Sequence, residues 1–181
     1  MAFQWLKLLF LDPDFNRKRD FLKKVSLFHG ISRREFGTLF HSLVARDYFP
    51  GETLCREGDI GRALFILEFG RVEICRRGAY SKTGTAAEPR RIAVLKGGDY
   101  FGEISLIDEQ PRTATVVAIE PVRAWLLYKT EIDRLLRDAP HIGAAIMAHL
   151  AALLAVRLRS TLNRMPFALD STDTVESKKA A

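Results

Sequence analysis

The most informative part of the chain runs Gly98-Asp99-Tyr100-Phe101-Gly102-Glu103-Ile104-Ser105 and resumes, after a short gap, with Pro111-Arg112-Thr113-Ala114-Thr115. This order of residue types indicates a strand end, a glycine turn, one helical turn and a new strand. Gly102 has no Cβ and lets the backbone approach a ligand closely. The start of the short helix presents unpaired N–H groups to an anion, and Arg112 adds a planar, charged fork for phosphate oxygens. These features predict a phosphate site.

Glu103 gives this predicted anion site a second chemistry. A carboxylate beside a phosphate is repelled unless it also accepts a hydrogen bond, and a ribose 2′-OH is such a donor. Glu103 and Arg112 together therefore predict a site for a sugar phosphate closed on itself. Taken singly, each has a simpler interpretation. Glu103 alone would favour the helix N-terminus by about 0.3–1 kcal/mol, and Arg112 alone would be an ordinary surface arginine.

Short β-rich segments surround these two runs. They alternate with glycine or proline breaks, and within Arg71–Arg76 the apolar Val72 and Ile74 alternate with polar residues, the pattern of a strand with one buried face. The predicted strands are Val44–Phe49, Glu52–Arg56, Ala63–Phe69, Arg71–Arg76, Arg91–Leu95, Thr113–Ile119 and Ala124–Tyr128. Short strands at such regular spacing favour a β-roll or barrel over an α/β sheet.

Helices are predicted on both sides of these strands. Apolar residues recur at helical spacing from 20 to 44, and Gly30 divides them into two short helices. Thr130 is predicted to cap a helix over 131–137, and a long helix with two apolar faces follows over 141–164. The sequence therefore predicts an α+β fold: an antiparallel β-roll of the double-stranded β-helix or jelly-roll type, with short N-terminal helices and a long C-terminal helix.

In order and spacing these motifs resemble the cyclic nucleotide-binding domain family, which includes the bacterial catabolite activator, protein kinase A regulatory subunits and cyclic nucleotide-gated channels. The resemblance covers about residues 21–158. It rests on Phe-Pro-Gly-Glu at 49–52, Glu-Gly-Asp at 57–59, Gly70 and the two runs quoted above. It implies a β-roll with flanking helices and a phosphate-binding cassette over about 101–115.

The resemblance also implies roles for individual residues. Glu103 would bind the ribose hydroxyl and Arg112 the cyclic phosphate, while Thr113 would lie beside the purine edge. A threonine at this point also occurs in guanine-preferring sites of the family, so cAMP is expected ahead of cGMP without cGMP being excluded. The ligand-binding residues predicted in this way are Phe101, Gly102, Glu103, Ile104, Ser105, Arg112, Thr113 and Ala114.

The long C-terminal helix is predicted to carry the response. We expect it to shift over the base when nucleotide enters, with Leu153, Leu154 or Arg157 as lid residues. The same helix is predicted to pair with its mate in a homodimer through residues 141–164. The nucleotide is then a regulatory ligand, no cofactor is expected, and an unidentified effector protein receives the signal.

Composition narrows the other classes of function. With 181 residues, 48% apolar and 28% charged, the chain is typical of one globular domain with modest extensions. The formal net charge of +6 permits anionic partners, but the basic pairs are scattered, as on solvated faces. Cys55 and Cys75 are interpreted as small apolar strand residues in a reducing, cytoplasmic location.

The sequence shows no residue pattern typical of a metal site or of an enzyme active site. The four histidines show no metal-ligand spacing. Some family members hold haem, but Cys75 has no histidine near it on its strand to serve as a second axial ligand. No nucleophile–base pair or pair of catalytic carboxylates is present, so we expect a sensor and not an enzyme.

The two ends of the chain are assigned separately. Residues 1–19 are predicted to form an apolar helix and a basic linker, 20–165 the binding domain, and 166–181 a disordered tail. The apolar stretch 3–11 is expected to dock on the domain or a dimer partner, with contact to a membrane surface as the alternative. The tail is too short for a helix-turn-helix, so no direct DNA binding is expected. Two alternative functions stay open: a ligand-independent scaffold or assembly subunit with this fold, and a regulator acting through a separate DNA-binding partner.

Overall fold

The computed structural model describes residues 19–32, 34–77 and 89–164. The predicted apolar helix at 1–11, the membrane-contact alternative and the tail at 166–181 lie outside these residues. Before the sheets, residues 19–22 are helical, a 3-10 turn covers Ser26–Phe28, and helix α1 covers Phe36–His41. The first of the two predicted helices is therefore short, and the chain between it and α1 passes through Gly30 at φ +86°.

Over the described residues, eight antiparallel strands form the body of the domain. They are β1 (Leu43–Tyr48), β2 (Thr53–Cys55), β3 (Ala63–Phe69), β4 (Arg71–Arg76), β5 (Arg90–Lys96), β6 (Tyr100–Phe101), β7 (Thr115–Ala118) and β8 (Val122–Tyr128). One sheet has the order β1-β8-β3-β6 and the other β2-β7-β4-β5. All seven predicted strands are present, and the predicted fold class is confirmed. β6 was missed because two residues carry no periodicity.

Strand β3 separates two apolar cores. Side chains alternate between the faces of a strand, so Phe65 and Leu67 point between the two sheets while Leu64 and Ile66 point toward the helices. Both sets are at least 95% buried. The uninterrupted apolar run of β3 follows from this position, because a strand covered on both faces needs apolar residues on both.

Helix α2 (Glu103–Asp108) follows β6, and two further helices close the described chain. Helix α3 (Lys129–Asp138) begins directly after β8 and has no side-chain cap. The prediction that Thr130 caps this helix is wrong, because the strand turns straight into the helix and Thr130 already lies in its first turn. Helix α4 (Pro140–Arg164) begins with proline at its first position, where the missing N–H has no helical partner to lose.

Helix α4 is buried along its first half only. Ile142, Ile146 and Leu150 are at most 2% exposed and pack in the core between helices and sheet. Further along, Leu158 and Leu162 are 60% and 54% exposed, so the apolar face that carries them leaves the core in the second half of the helix. By length and composition alone the stretch Pro140–Asn163 also suits a membrane span, a test that core helices pass as well.

Candidate functional site

A cleft lies between the start of helix α2 (Glu103–Asp108), the segment 111–114 and helix α4. Its empty volume is about 440 Å³ including the open mouth. All eight residues predicted from the sequence line it, together with four others: Phe101, Gly102, Glu103, Ile104, Ser105, Arg112, Thr113 and Ala114, and then Cys55, Ile74, Val116 and Arg157.

The turn into α2 requires a glycine. Gly102 adopts φ +90°, a left-handed conformation that L side chains rarely take. A Cβ at this position would also lie 3.0 Å from the carbonyl oxygen of Ala63 and 3.2 Å from the guanidinium carbon of Arg112. Behind the turn, Leu106 is buried in the core and anchors the short helix. The backbone of α2 is therefore held at the edge of the cleft.

Backbone contacts fix the segment that carries Arg112. Its N–H donates to the carbonyl of Asp59 over 2.8 Å, and its own carbonyl accepts from Gly58 over 2.9 Å. The Glu-Gly-Asp motif at 57–59 thus pairs with the Pro-Arg motif that follows α2. Close by, Gly61 leaves room for the arginine, since a Cβ there would lie 2.7 Å from its Nε.

Arg112 is 7% exposed, and two of the five N–H donors of its side chain bond to backbone carbonyls. Its Nη2 donates to the carbonyl of Ala63 over 2.6 Å and its Nη1 to the carbonyl of Gly102 over 3.0 Å. The guanidinium also lies 5.5 Å from the ring centre of Phe65, which stacks on Phe101 at 4.9 Å. Burial lowers the pKa of Arg112 from its ordinary value. The fork is thus held rigidly at the base of the cleft.

The Glu103 side chain is 2% exposed and forms an ion pair with Arg157 of α4. Arg157 Nη1 donates to Glu103 Oε1, and Arg157 Nη2 lies 3.4 Å from the carbonyl oxygen of Tyr100. Of the three predicted lid residues, Arg157 is the one that lines the cleft. Leu153 packs against the core between helices and sheet, and Leu154 is half-buried.

Sequence reasoning missed one wall of the cleft. Ile74 and Val116 face each other in register on β4 and β7, and Cys55 projects beside them with its Sγ 4.0 Å from the carbonyl oxygen of Ala114. Burial raises the pKa of the Cys55 thiol. The interpretation of this cysteine as an apolar strand residue fits its place on β2, but its part in the cleft depends on a cross-strand register that no local pattern reveals.

The cleft therefore combines three chemistries around one volume. A buried carboxylate can accept from a hydroxyl, and the guanidinium and the first amides of α2 can bind an anion. The apolar wall can cover a ring or sugar. Among the described residues, no group of three or more His, Cys, Asp or Glu side chains is placed to hold a metal ion.

Comparison with known proteins gives the family. Residues 45–139 match the sequence model of the cyclic nucleotide-binding domain. The chain is 35% identical over 139 residues to the cyclic AMP receptor protein of Thermus thermophilus, covering 76% of this chain and 59% of that protein. It is 30% identical over 129 residues to a cGMP-dependent protein kinase of Toxoplasma gondii, covering 71% and 12%. The chain thus spans less than two thirds of the length of either relative.

A solved structure shows the same architecture. The crystal structure of a cyclic nucleotide-binding domain from Methylobacillus flagellatus superposes with a TM-score of 0.70 at 24% identity, covering 87% of this chain and 92% of that one. At that identity the likeness concerns the fold alone. The sequence match covers more than half of the chain and includes every residue predicted to bind ligand. The chain therefore belongs to the cyclic nucleotide-binding domain family.

Proposed function

We propose that this chain is a non-enzymatic sensor that binds a cyclic nucleotide in the cleft and relays occupancy to a partner protein through α4. One observation carries the proposal: Glu103 and Arg112, both buried, line the same cleft beside the first turn of α2. The ribose 2′-OH donates to Glu103, and the cyclic phosphate accepts from Arg112. The phosphate also accepts from backbone amides at the start of α2, among them those of Ile104 and Ser105.

The proposed ligand is small and carries a single negative charge at the phosphate. Arg112 donates to two carbonyl oxygens, one from each terminal nitrogen, and the remaining three of its five N–H donors can bind phosphate oxygens. We infer that α2 closes on the phosphate as it binds.

The base is proposed to be adenine in preference to guanine. Thr113 is exposed at the cleft, and its hydroxyl can donate or accept, so it can serve either purine. The names of the relatives point both ways, to cyclic AMP for the Thermus protein and to cGMP for the Toxoplasma kinase. The preference for cAMP rests on the higher identity of the former, and a direct titration decides it.

Helix α4 is proposed as the output. Leu153, Leu154 and Arg157 are the proposed lid residues, and beyond them Leu158 and Leu162, four residues apart on one face of the helix, are more than half exposed. Apolar side chains on an exposed helix face suit a partner helix. We propose that this face binds either a second copy of the chain, as a homodimer through 141–164, or an effector protein.

The remaining assignments follow from this function. We propose 20–165 as the binding domain and a cytoplasmic location. The contact of residues 3–11 with a membrane surface stays a prediction. Among the described residues that line the cleft, Glu103 is the only carboxylate and there is no histidine, which supports a binding role over catalysis.

Isothermal titration calorimetry with cAMP and cGMP tests the proposal. Glu103→Gln keeps the size of the side chain and removes its charge, and we expect the affinity of the protein for cAMP to fall about 10–100-fold, the value of a charge-assisted hydrogen bond. Glu120→Gln is the matched control, because Glu120 also pairs with an arginine, Arg71 at 2.7 Å, but outside the cleft. Absence of heat with either nucleotide, or equal affinities in the two variants, would refute the site and favour the scaffold alternative.

A further inference from the structure

Strand β5 forms an open edge of the second sheet. In the order β2-β7-β4-β5 it pairs with β4 alone among the described strands, from Arg90 to Lys96. In an antiparallel ladder alternate residues direct their N–H and C=O groups to one neighbour, so every second residue of β5 directs them away from β4. Such an edge can accept a further strand from another chain.

Two apolar side chains are exposed in the middle of this edge strand. Ile92 is 57% exposed and Val94 is 44% exposed. A register shift between Ile74 and Cys75 of β4 leaves Ile92 without a cross-strand partner. Both side chains are therefore open to apolar contact with an incoming strand.

Four arginines lie where β4 ends and β5 begins. Arg76 is directly opposite Arg90, so two basic pairs that are separate in the sequence, Arg76-Arg77 and Arg90-Arg91, meet at one end of the sheet. All four are exposed, and with the described residues none of their guanidiniums forms an ion pair. The carboxylate of Glu57 bonds at this end, but it accepts from the backbone N–H of Arg77 over 2.8 Å. This arginine cluster therefore favours a negatively charged partner, since like charges opposite each other in a sheet are destabilising.

The charges along β5 disfavour a second copy of the chain as that partner. Antiparallel pairing of two β5 strands would bring Arg90 and Arg91 of one copy toward Lys96 of the other, and parallel pairing would place the arginines side by side. Bulges and charged residues on an edge also hinder its pairing with an identical edge. The edge therefore suits a strand of opposite charge from a different protein.

We propose that β5 binds an extended segment of a partner protein that has apolar residues at alternate positions, followed by acidic residues at its C-terminal end. Antiparallel addition matches the other pairings of this sheet. It places the C-terminal end of the segment beside Arg90 and Arg91, where β5 begins, while the apolar side chains cover Ile92 and Val94. This surface goes beyond the proposed function, because it is distinct from α4 and does not require nucleotide.

Fluorescence anisotropy of the full chain with labelled synthetic peptides tests the charge requirement. The probe is Thr-Val-Thr-Val-Glu-Glu-Glu. We expect an Arg90→Gln/Arg91→Gln variant to bind it about three- to thirtyfold more weakly than the wild type at low salt, as two exposed charge pairs imply. Arg46→Gln is the matched control, since Arg46 is exposed on β1, an edge strand of the other sheet. Absence of binding, or equal affinities in the two variants, overturns the proposal.

A second comparison tests the apolar requirement. The peptide Thr-Gly-Thr-Gly-Glu-Glu-Glu has the same charge as the probe but lacks its valines, and it should bind more weakly. Val94→Thr keeps a β-branched side chain and should weaken binding of the probe about two- to fivefold. Val44→Thr is the control, because Val44 is 51% exposed on β1. If the two peptides bind equally well, the arginine cluster attracts charge alone and the proposed strand addition is wrong.

Hydrogen exchange locates the bound peptide. The probe should slow exchange of amides within 91–95 and leave those of β1 unchanged, whereas protection confined to any other segment contradicts the proposal. Tighter binding of oligothymidylate than of the probe would make the arginine cluster a nucleic-acid surface and would also overturn it. Because none of these measurements involves cAMP, their failure leaves the proposed nucleotide site untouched.

Discussion

Replacing Arg112 should destabilise the protein even without ligand. Its guanidinium donates to the carbonyl oxygens of Ala63 and Gly102 and thereby ties β3 to the turn before α2. Arg112→Met deletes both hydrogen bonds while keeping an unbranched side chain of similar length. The two carbonyls then lie in a site where the arginine had left only 7% of its surface exposed.

The size of the effect follows from these contacts. A hydrogen bond from a charged donor contributes about 1.5–3 kcal/mol, and two give about 3–6 kcal/mol. The cleft is open to solvent, so water reaches part of the vacated space and reduces the loss. We expect the free energy of unfolding to fall by about 2–4 kcal/mol, which lowers Tm by about 5–15 °C for a chain of this size.

Urea denaturation, followed by the fluorescence of the buried Trp125, measures this loss. Arg46→Met is the matched control: that guanidinium also lies over an aromatic ring, 5.0 Å from the centre of Tyr48, but it is exposed. Surface changes usually alter the unfolding free energy by no more than about 0.5 kcal/mol. A value for Arg112→Met within that range of the control would show that the two hydrogen bonds of Arg112 do not stabilise the fold. Loss of nucleotide binding in an Arg112 variant should therefore be interpreted only beside its stability.

Three further predictions test the surroundings of the cleft. Gly102→Ala and Gly98→Ala both place a side chain in the left-handed region, at φ +90° and +94°, but only the Cβ at 102 would meet other atoms. Calorimetry should therefore show nucleotide affinity falling at least about tenfold more in Gly102→Ala than in Gly98→Ala. In mass-spectrometric footprinting with iodoacetamide, cAMP should protect Cys55, which lines the cleft, but not Cys75; equal protection would place the ligand elsewhere. The hydrogen bond from Arg123 lowers the pKa of Asp47. The stabilising effect of this pair should therefore be present above the unfolded-state pKa of about 3.9 and lost as pH falls through the pKa of Asp47 in the folded protein. The unfolding free energies of wild type and Asp47→Asn, measured by urea denaturation, should differ by less than about 1 kcal/mol at pH 7 and converge in acid.

Local chemistry made the strands and the cassette predictable. Glycine and proline mark the breaks between strands, and the alternation of apolar residues marks the strands themselves. The eight cassette residues are close in sequence, so a local motif suffices to bring them to one cleft. Thr130 shows the limit of this reasoning, because a residue that can cap a helix does so only if the helix begins there.

Contacts between distant segments could not be predicted from the sequence. The phase of α4 against the roll decides that Arg157 and not Leu153 or Leu154 faces the cleft, and successive helical residues differ by about 100° in direction. The hold of two carbonyl oxygens on Arg112 likewise depends on how β3 passes behind α2. Both features arise from tertiary packing.

Titration of the wild-type chain with cAMP and 5′-AMP by calorimetry tests the central claim most directly. Both nucleotides offer the same base and the same 2′-OH, but only cAMP has its phosphate closed on the ribose. A site built from Glu103, Arg112 and the amides of α2 for a cyclic ribose phosphate predicts saturable heat with cAMP and affinity at least about tenfold weaker for 5′-AMP. Equal affinity for the two, or no heat with cAMP, would contradict the account.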